Sequence, residues 1–146
     1  MSQLKKARAA QWPLVSEFTF SFDDTISDVS GVMRSFGANF ADQAIAEIIN
    51  LPEAAVVIGG EIVVETAGAG PTAYTVSLGD SAMPNRYAAA VDLKTAGRTP
   101  LTLTGYRSSE NLRLTIGSTV ANATAGKATV RVMYTIPGRA NETVPN

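Results

Sequence analysis

Four stretches of this 146-residue sequence carry residue types that do chemistry in other proteins. Asp23 and Asp24, with Asp28 nearby, bring carboxylates close together, as a calcium loop must. Their spacing is not that of an EF-hand, and Asp-rich segments between apolar runs are ordinary turns. Gly79-Asp80-Ser81 places a serine where a nucleophile loop would, but the flanking glycines of a nucleophile elbow are missing. Gly, Asp and Ser are also the residues that turns select. Gly59-Gly60 and Gly68-Ala69-Gly70 are glycine-rich, yet no Lys-Ser/Thr pair or helix start follows, as a phosphate loop requires. The chain contains no histidine and no cysteine. That removes imidazole acid–base catalysis, Ser-His-Asp and Cys-His arrangements, and His- or Cys-ligated metals. A Ser–Lys dyad stays formally open, without a motif that points to one. The reading is a protein without catalytic residues, metal or cofactor.

Binding is the better candidate for function. Residues 1–14 form a basic, alanine-rich arm in which Leu4, Lys5, Lys6, Arg8 and Trp12 combine charge with apolar anchors. Such an arm can fray into solvent or dock on an acidic neighbour. Trp12 is the only tryptophan, a residue favoured as an interface anchor; it could equally close the core. Arg86, Tyr87, Tyr106 and Arg107 fall in or beside expected loops, and Tyr and Arg are enriched at interfaces. Net charge is −1 and the pI about 5.4, which gives no whole-molecule attraction to nucleic acid or an anionic membrane. No apolar run follows the basic N-terminal residues as in a signal peptide, and none approaches a spanning length. The expectation is therefore a protein made in a cytoplasm, with neither nucleic acid nor membrane as partner. Asn122-Ala123-Thr124 and Asn141-Glu142-Thr143 match the glycosylation sequon, which without a secretory route marks only loops.

The elements that must position these residues are strands. Hydrophobic residues make up 45% and charged residues 17% of the chain, the composition of one folded domain. Prolines and glycine pairs punctuate short β-branched runs, a spacing that favours a sandwich or barrel. Phe18, Phe20 and Phe22 alternate with Glu17, Thr19 and Ser21, which puts three rings on one buried face. Leu112, Leu114 and Ile116 alternate with Arg113 and Thr115. Ala128, Val130, Val132, Tyr134 and Ile136 predict a long central strand ending at Pro137-Gly138. Residues 54–58 and 61–66 read as two strands or one bent at Gly59-Gly60, with Ile62 and Val64 inward and Glu61 and Glu65 outward. Further strands are expected over residues 74–78, 87–91 and 100–103. Residues 41–51 fit a short helix or a strand; the strand is favoured because Asn50-Leu51-Pro52 leads straight into the next β run. The domain is taken as residues 15–138 and the polar tail as 139–146.

Two stretches also resemble a known family. INLPEAAVVIGGEIVVET (residues 49–66) and VSLGDSAMPNRYAAAVDLKTAGRTPLTLTGY (residues 76–106) are similar to segments of the cement, or decoration, proteins on podovirus-like heads of tailed bacteriophages. The resemblance covers most of the chain after about residue 45. It implies an antiparallel jelly-roll β-sandwich, to which the residues themselves add the extended N-terminal arm, bound to the major capsid protein on the outside of an HK97-type shell. It also implies a homo-oligomer, a dimer near two-fold positions before a trimer, and a place in the virion after synthesis in the host bacterium's cytoplasm. Two other functions fit an all-β chain without catalytic residues. One is a minor virion component such as a head-fibre base, connector or tail accessory protein. The other is a carbohydrate-binding β-sandwich module.

Overall fold

Pairing between the first and last described strands organises everything between them. The computed structural model describes residues 13–39 and 44–136. They form β1 (Leu14–Ser21), β2 (Thr25–Ser27), β3 (Met33–Ser35), β4 (Ala44–Ile49), β5 (Ala55–Ala69) and β6 (Tyr74–Gly79). β7 (Ala88–Asp92), β8 (Gly97–Pro100), β9 (Arg107–Ser108), β10 (Leu112–Ser118) and β11 (Ala125–Thr135) follow. One sheet runs β1-β11-β5-β8, with β9 also on β5, and the other runs β4-β10-β6-β7. Setting aside the small β2–β3 hairpin and β9, the first strand pairs the last, β4 pairs β10, β5 pairs β8 and β6 pairs β7, all antiparallel. That is a long ribbon folded back on itself and rolled into two layers, the jelly-roll topology.

Period-two patterning decides which side of each strand is buried. Phe20, Ile62, Val64, Ala128, Val130 and Val132 of one sheet meet Val76, Leu78, Leu112, Leu114 and Ile116 of the other. Each fully buried Leu, Ile or Val contributes about 1.5–3 kcal/mol relative to exposure. Phe36, just after β3, stacks on Phe20 at 4.6 Å and lies 6.0 Å from Phe18. The Tyr74 hydroxyl donates to the Phe36 carbonyl at 2.8 Å and ties this loop to the core. The strands expected around residues 18–22, 112–116 and 128–136 are present, and residues 44–49 are a strand. The last strand ends at Thr135, so Ile136 is not part of it, and Pro137-Gly138 lies outside the described residues.

Three local differences have physical causes. Residues 55–66 belong to one strand of 15 residues, which stays in the ladder because Gly60 absorbs the bend at φ +134°, while Ala54 remains in the turn before it at φ +58°. The strand expected over residues 100–103 lies earlier, at Gly97–Pro100. Leu101 still donates to the Gly60 carbonyl (3.1 Å), but Thr102 donates to the Tyr87 carbonyl (2.8 Å), so the chain is already crossing to the other sheet. β2, β3 and β9 are too short for sequence periodicity to mark.

Gly60 makes a test of the bend. A Cβ there would sit 2.2 Å from the Arg131 carbonyl oxygen, whereas one at Gly117 would meet only Thr75 Oγ1 at 3.4 Å. Gly60→Ala is expected to lower the unfolding free energy by about 1–3 kcal/mol, and Gly117→Ala to change it by less than about 1 kcal/mol. Urea denaturation of the two variants checks this.

Candidate functional site

The most tightly built polar cluster lies between β6 and β7. Asp80 follows β6 directly and is only 1% exposed. Its Oδ1 accepts the Ala82 and Met83 amides at 3.0 and 2.8 Å, and its Oδ2 accepts Arg86 Nε at 2.5 Å. Arg86 in turn lies over the Tyr106 ring, 3.6 Å from its centroid. Burial pushes the Asp80 carboxyl up, but Arg86 and the Met83 and Ala82 amides outweigh it and hold it below the usual range. Tyr87 is also in the core at 1% exposure, and its hydroxyl has no hydrogen-bond partner among the described residues. Burial, then the nearby Asp80 charge, raises its pKa. Beside the cluster, Ser81 N and Oγ both donate to Glu110 Oε2.

The outer face of the first sheet carries a row of alternating charges. Register sets Glu17 opposite Arg131 and Arg131 opposite Glu61. Arg131 donates to Glu17 (2.5 Å) and Glu61 (2.9 Å), and Arg98 on β8 pairs with Glu61. The row therefore spans all four strands. Arg98 and Arg131 hold the Glu61 carboxyl low, and Glu17 and Glu61 raise Arg131. A second row runs from the Thr19 hydroxyl to Thr129 (2.8 Å), from Thr129 to Glu65 (2.8 Å), and to Lys127 on Glu65. Exposed pairs of this kind contribute little individually, about 0–1 kcal/mol.

Two apolar features stand out from the surface. The β2–β3 hairpin carries Val29, Val32 and Met33, all exposed. Asp28 closes its turn by accepting the Ser30 and Val32 amides and Arg34 Nε. Val120 is 78% exposed and has φ +76°, a conformation that strains a β-branched residue. Its loop is pinned by Thr119 N to the Ala73 carbonyl and Ala123 N to the Gly37 carbonyl.

Among the described residues no three acidic side chains converge on a metal position. Asp24 accepts the Ser21 amide and Asp28 serves its own turn, so these aspartates close backbone.

Comparison with solved structures places the fold. The chain is similar to a chain of the cyanophage Pam1 capsid asymmetric unit, with 23% identity, 92% of this chain and 95% of that chain covered, and a TM-score of 0.60. It is also similar to a chain of the acidic stable capsid structure of Helicobacter pylori bacteriophage KHP30, with 17% identity, coverages of 88% and 90%, and a TM-score of 0.55. No protein-family model and no curated protein matches the sequence. At these identities the likeness is one of fold, and it runs nearly end to end in both chains.

Of the residues singled out in the sequence, Leu4, Lys5, Lys6, Arg8 and Trp12 lie outside the described residues. Arg86, Tyr87 and Tyr106 come together around Asp80. Arg107 stands exposed on β9 opposite Val56 and takes no part in that stack. The sequence marks Gly79-Asp80-Ser81 as a turn, and a turn follows β6, but nothing in it shows that Asp80 is buried there. Its burial follows from Arg86, six residues on, folding back across the Pro84 turn, a spacing that no motif flags. Val120 and the hairpin tip were missed because a lone apolar residue in a loop carries no periodicity.

Arg86→Met strands a buried carboxylate and is expected to cost about 3–5 kcal/mol. Tyr87→Phe removes a hydroxyl with no described partner and should stay within about 0.5 kcal/mol of the parent or exceed it. Thermal and urea unfolding measure both. A pH profile follows as well. The chain has no histidine, so no side chain has an ordinary pKa between 5 and 8. Asp28, Glu47, Glu61, Glu65, Asp80 and Asp92 are all held low when folded. A depressed carboxylate stabilises the fold above its unfolded pKa and loses that contribution as pH falls through its folded value. On the alkaline side burial pushes Tyr74 up to about 12 from 10.0, so its contribution is present below 10 and is lost as pH rises toward 12. Stability should therefore be level from about pH 5 to 9 and fall outside that range, as read by urea titrations across pH.

Proposed function

We propose that this chain is a non-enzymatic structural subunit of a tailed-phage head, and within the head a cement protein on the outer surface of the shell. The observation that carries the reading is the near end-to-end match of its jelly roll to chains of similar length in two phage capsid structures. The composition agrees, since a sequence without histidine or cysteine lacks the groups that catalysis most often recruits. The surface agrees as well. The exposed large aromatic among the described residues is Tyr106, and Arg86 covers a face of its ring. A carbohydrate platform needs such faces free to stack on sugar.

The mechanism is a linkage effect. A subunit that binds the mature shell, and binds the alternative lattice less well, stabilises the mature shell in proportion to its occupancy. Weak contacts repeated over a symmetric surface add through multivalency. The major capsid protein is the partner in this reading, and the basic arm with Leu4, Lys5, Lys6, Arg8 and Trp12 is its first contact. Arg107, exposed on β9, and the exposed edge of Tyr106 are the contacts offered by the folded domain.

The test uses heads that lack this subunit. Purified chain added to them should co-sediment saturably and raise the temperature at which they release DNA. A chain without residues 1–12 should keep its unfolding midpoint and bind at least about tenfold more weakly, the loss of one or more anchor contacts. Full-length chain that neither binds nor protects heads overturns the cement reading. Undiminished binding of the shortened chain overturns the role of the arm.

A further inference from the structure

The turn after β1 leaves one aspartate without a task in the fold. Asp24 accepts the Ser21 amide, and Asp28 closes the hairpin turn. Asp23 is exposed, and among the described residues its carboxylate takes part in no hydrogen bond or ion pair. Lys127 stands opposite Ser21 in the register, but it is held by Glu65, and Arg34 is held by Asp28.

Asp23 lines a cleft of about 390 Å³, inside the range of small-ligand sites, about 300–1,000 Å³. Three segments build it, one after β1, one around Gly37 and one before β11. Hydrogen bonds lock them together. The Ser35 hydroxyl donates to the Phe22 carbonyl (3.2 Å), the Ala123 amide to the Gly37 carbonyl (2.7 Å) and the Asn39 amide to Asn122 Oδ1 (2.7 Å). Gly37 permits this approach, since a Cβ there would lie 2.5 Å from the Phe22 carbonyl oxygen. The cleft is therefore preformed, and little in it has to be ordered when a ligand enters.

Its lining is one-sided in chemistry. Phe22, half-buried against the core, and the small residues Ala38 and Ala123 make it apolar. Ser35 has already given its proton to Phe22, so it and Asp23 have acceptors to spare. The single charge in the lining is negative.

We infer that this cleft receives the arginine side chain of a partner protein, with the guanidinium on Asp23 and the methylenes against Phe22, Ala38 and Ala123. An apolar lining beside an unpaired carboxylate suits a side chain that has an apolar stem and a cationic head. Arginine suits it better than lysine. Its head is more weakly hydrated, and its planar fork matches the two oxygens of a carboxylate.

NMR titration of the full chain with blocked tripeptides tests this without any heads, so the result stands apart from the cement reading. The probes are N-acetylated, C-amidated Gly-Arg-Gly and its lysine and citrulline counterparts; citrulline keeps the shape of arginine and lacks the charge. The arginine probe is expected to shift the Asp23, Gly37, Ala38, Asn122 and Ala123 amides saturably, with a Kd on the order of 1–10 mM. The lysine probe should bind more weakly, and the citrulline probe should leave these amides unshifted. Asp23→Asn changes a residue with no described partner, so it should keep the unfolding midpoint while weakening arginine binding at least about threefold. No saturable shift at these amides, equal binding of citrulline, or undiminished binding by the Asp23→Asn chain overturns the site. Lysine binding as tightly as arginine overturns the choice of a guanidinium.

Discussion

β11 lies between β1 and β5, so the first sheet cannot close until β11 has returned to β1. Thr19 and Thr129, which share a hydrogen bond in the finished sheet, stand 110 positions apart. The remaining pairs nest inside that one, β4 with β10, then β5 with β8, then β6 with β7. Each nested pair shortens the loop that the next outer pair must close, which lowers its entropic cost. Contacts of such high sequence separation make folding slow by topology. They also leave a single core between the two layers, with no second place for the apolar residues to go.

That constraint explains where the polar residues stand. Once the inner faces of both sheets are filled by Ile, Leu, Val and Phe, the alternate residues must face outward. The register of β1, β11 and β5 then brings Glu17, Arg131 and Glu61 into one row. The row follows from the same closure that builds the core, and β8 extends it through Arg98. Asp80 is the exception, a charge taken inside. It is tolerated because two amides and Arg86 satisfy it where the chain turns from β6 toward β7.

What was legible in the sequence follows the same division. Strands with strict alternation, such as Phe18-Thr19-Phe20 and Leu112-Arg113-Leu114, could be read because burial on one face imposes a period. The strand at residues 44–49 was legible through its junction with Leu51-Pro52. The exact place of β8 was not, because its four residues alternate little and its end depends on Tyr87 capturing Thr102. The Asp80–Arg86 pair was hidden for a related reason: turn chemistry and a buried ion pair use the same residue types. The left-handed conformation of Val120 runs against local preference, so no sequence rule could announce it. The basic arm was conspicuous in sequence and lies outside the described residues.

A jelly roll that belongs to a repeating shell surface, as proposed, must be present in many copies, and copy number tests this. Quantitative mass spectrometry of purified particles would give the ratio of this chain to the major capsid protein. The expected ratio is near one or a simple fraction of it, as symmetry imposes on a subunit that covers the lattice. A ratio of a few per cent would contradict it and move the protein to a single vertex, the tail or a fibre.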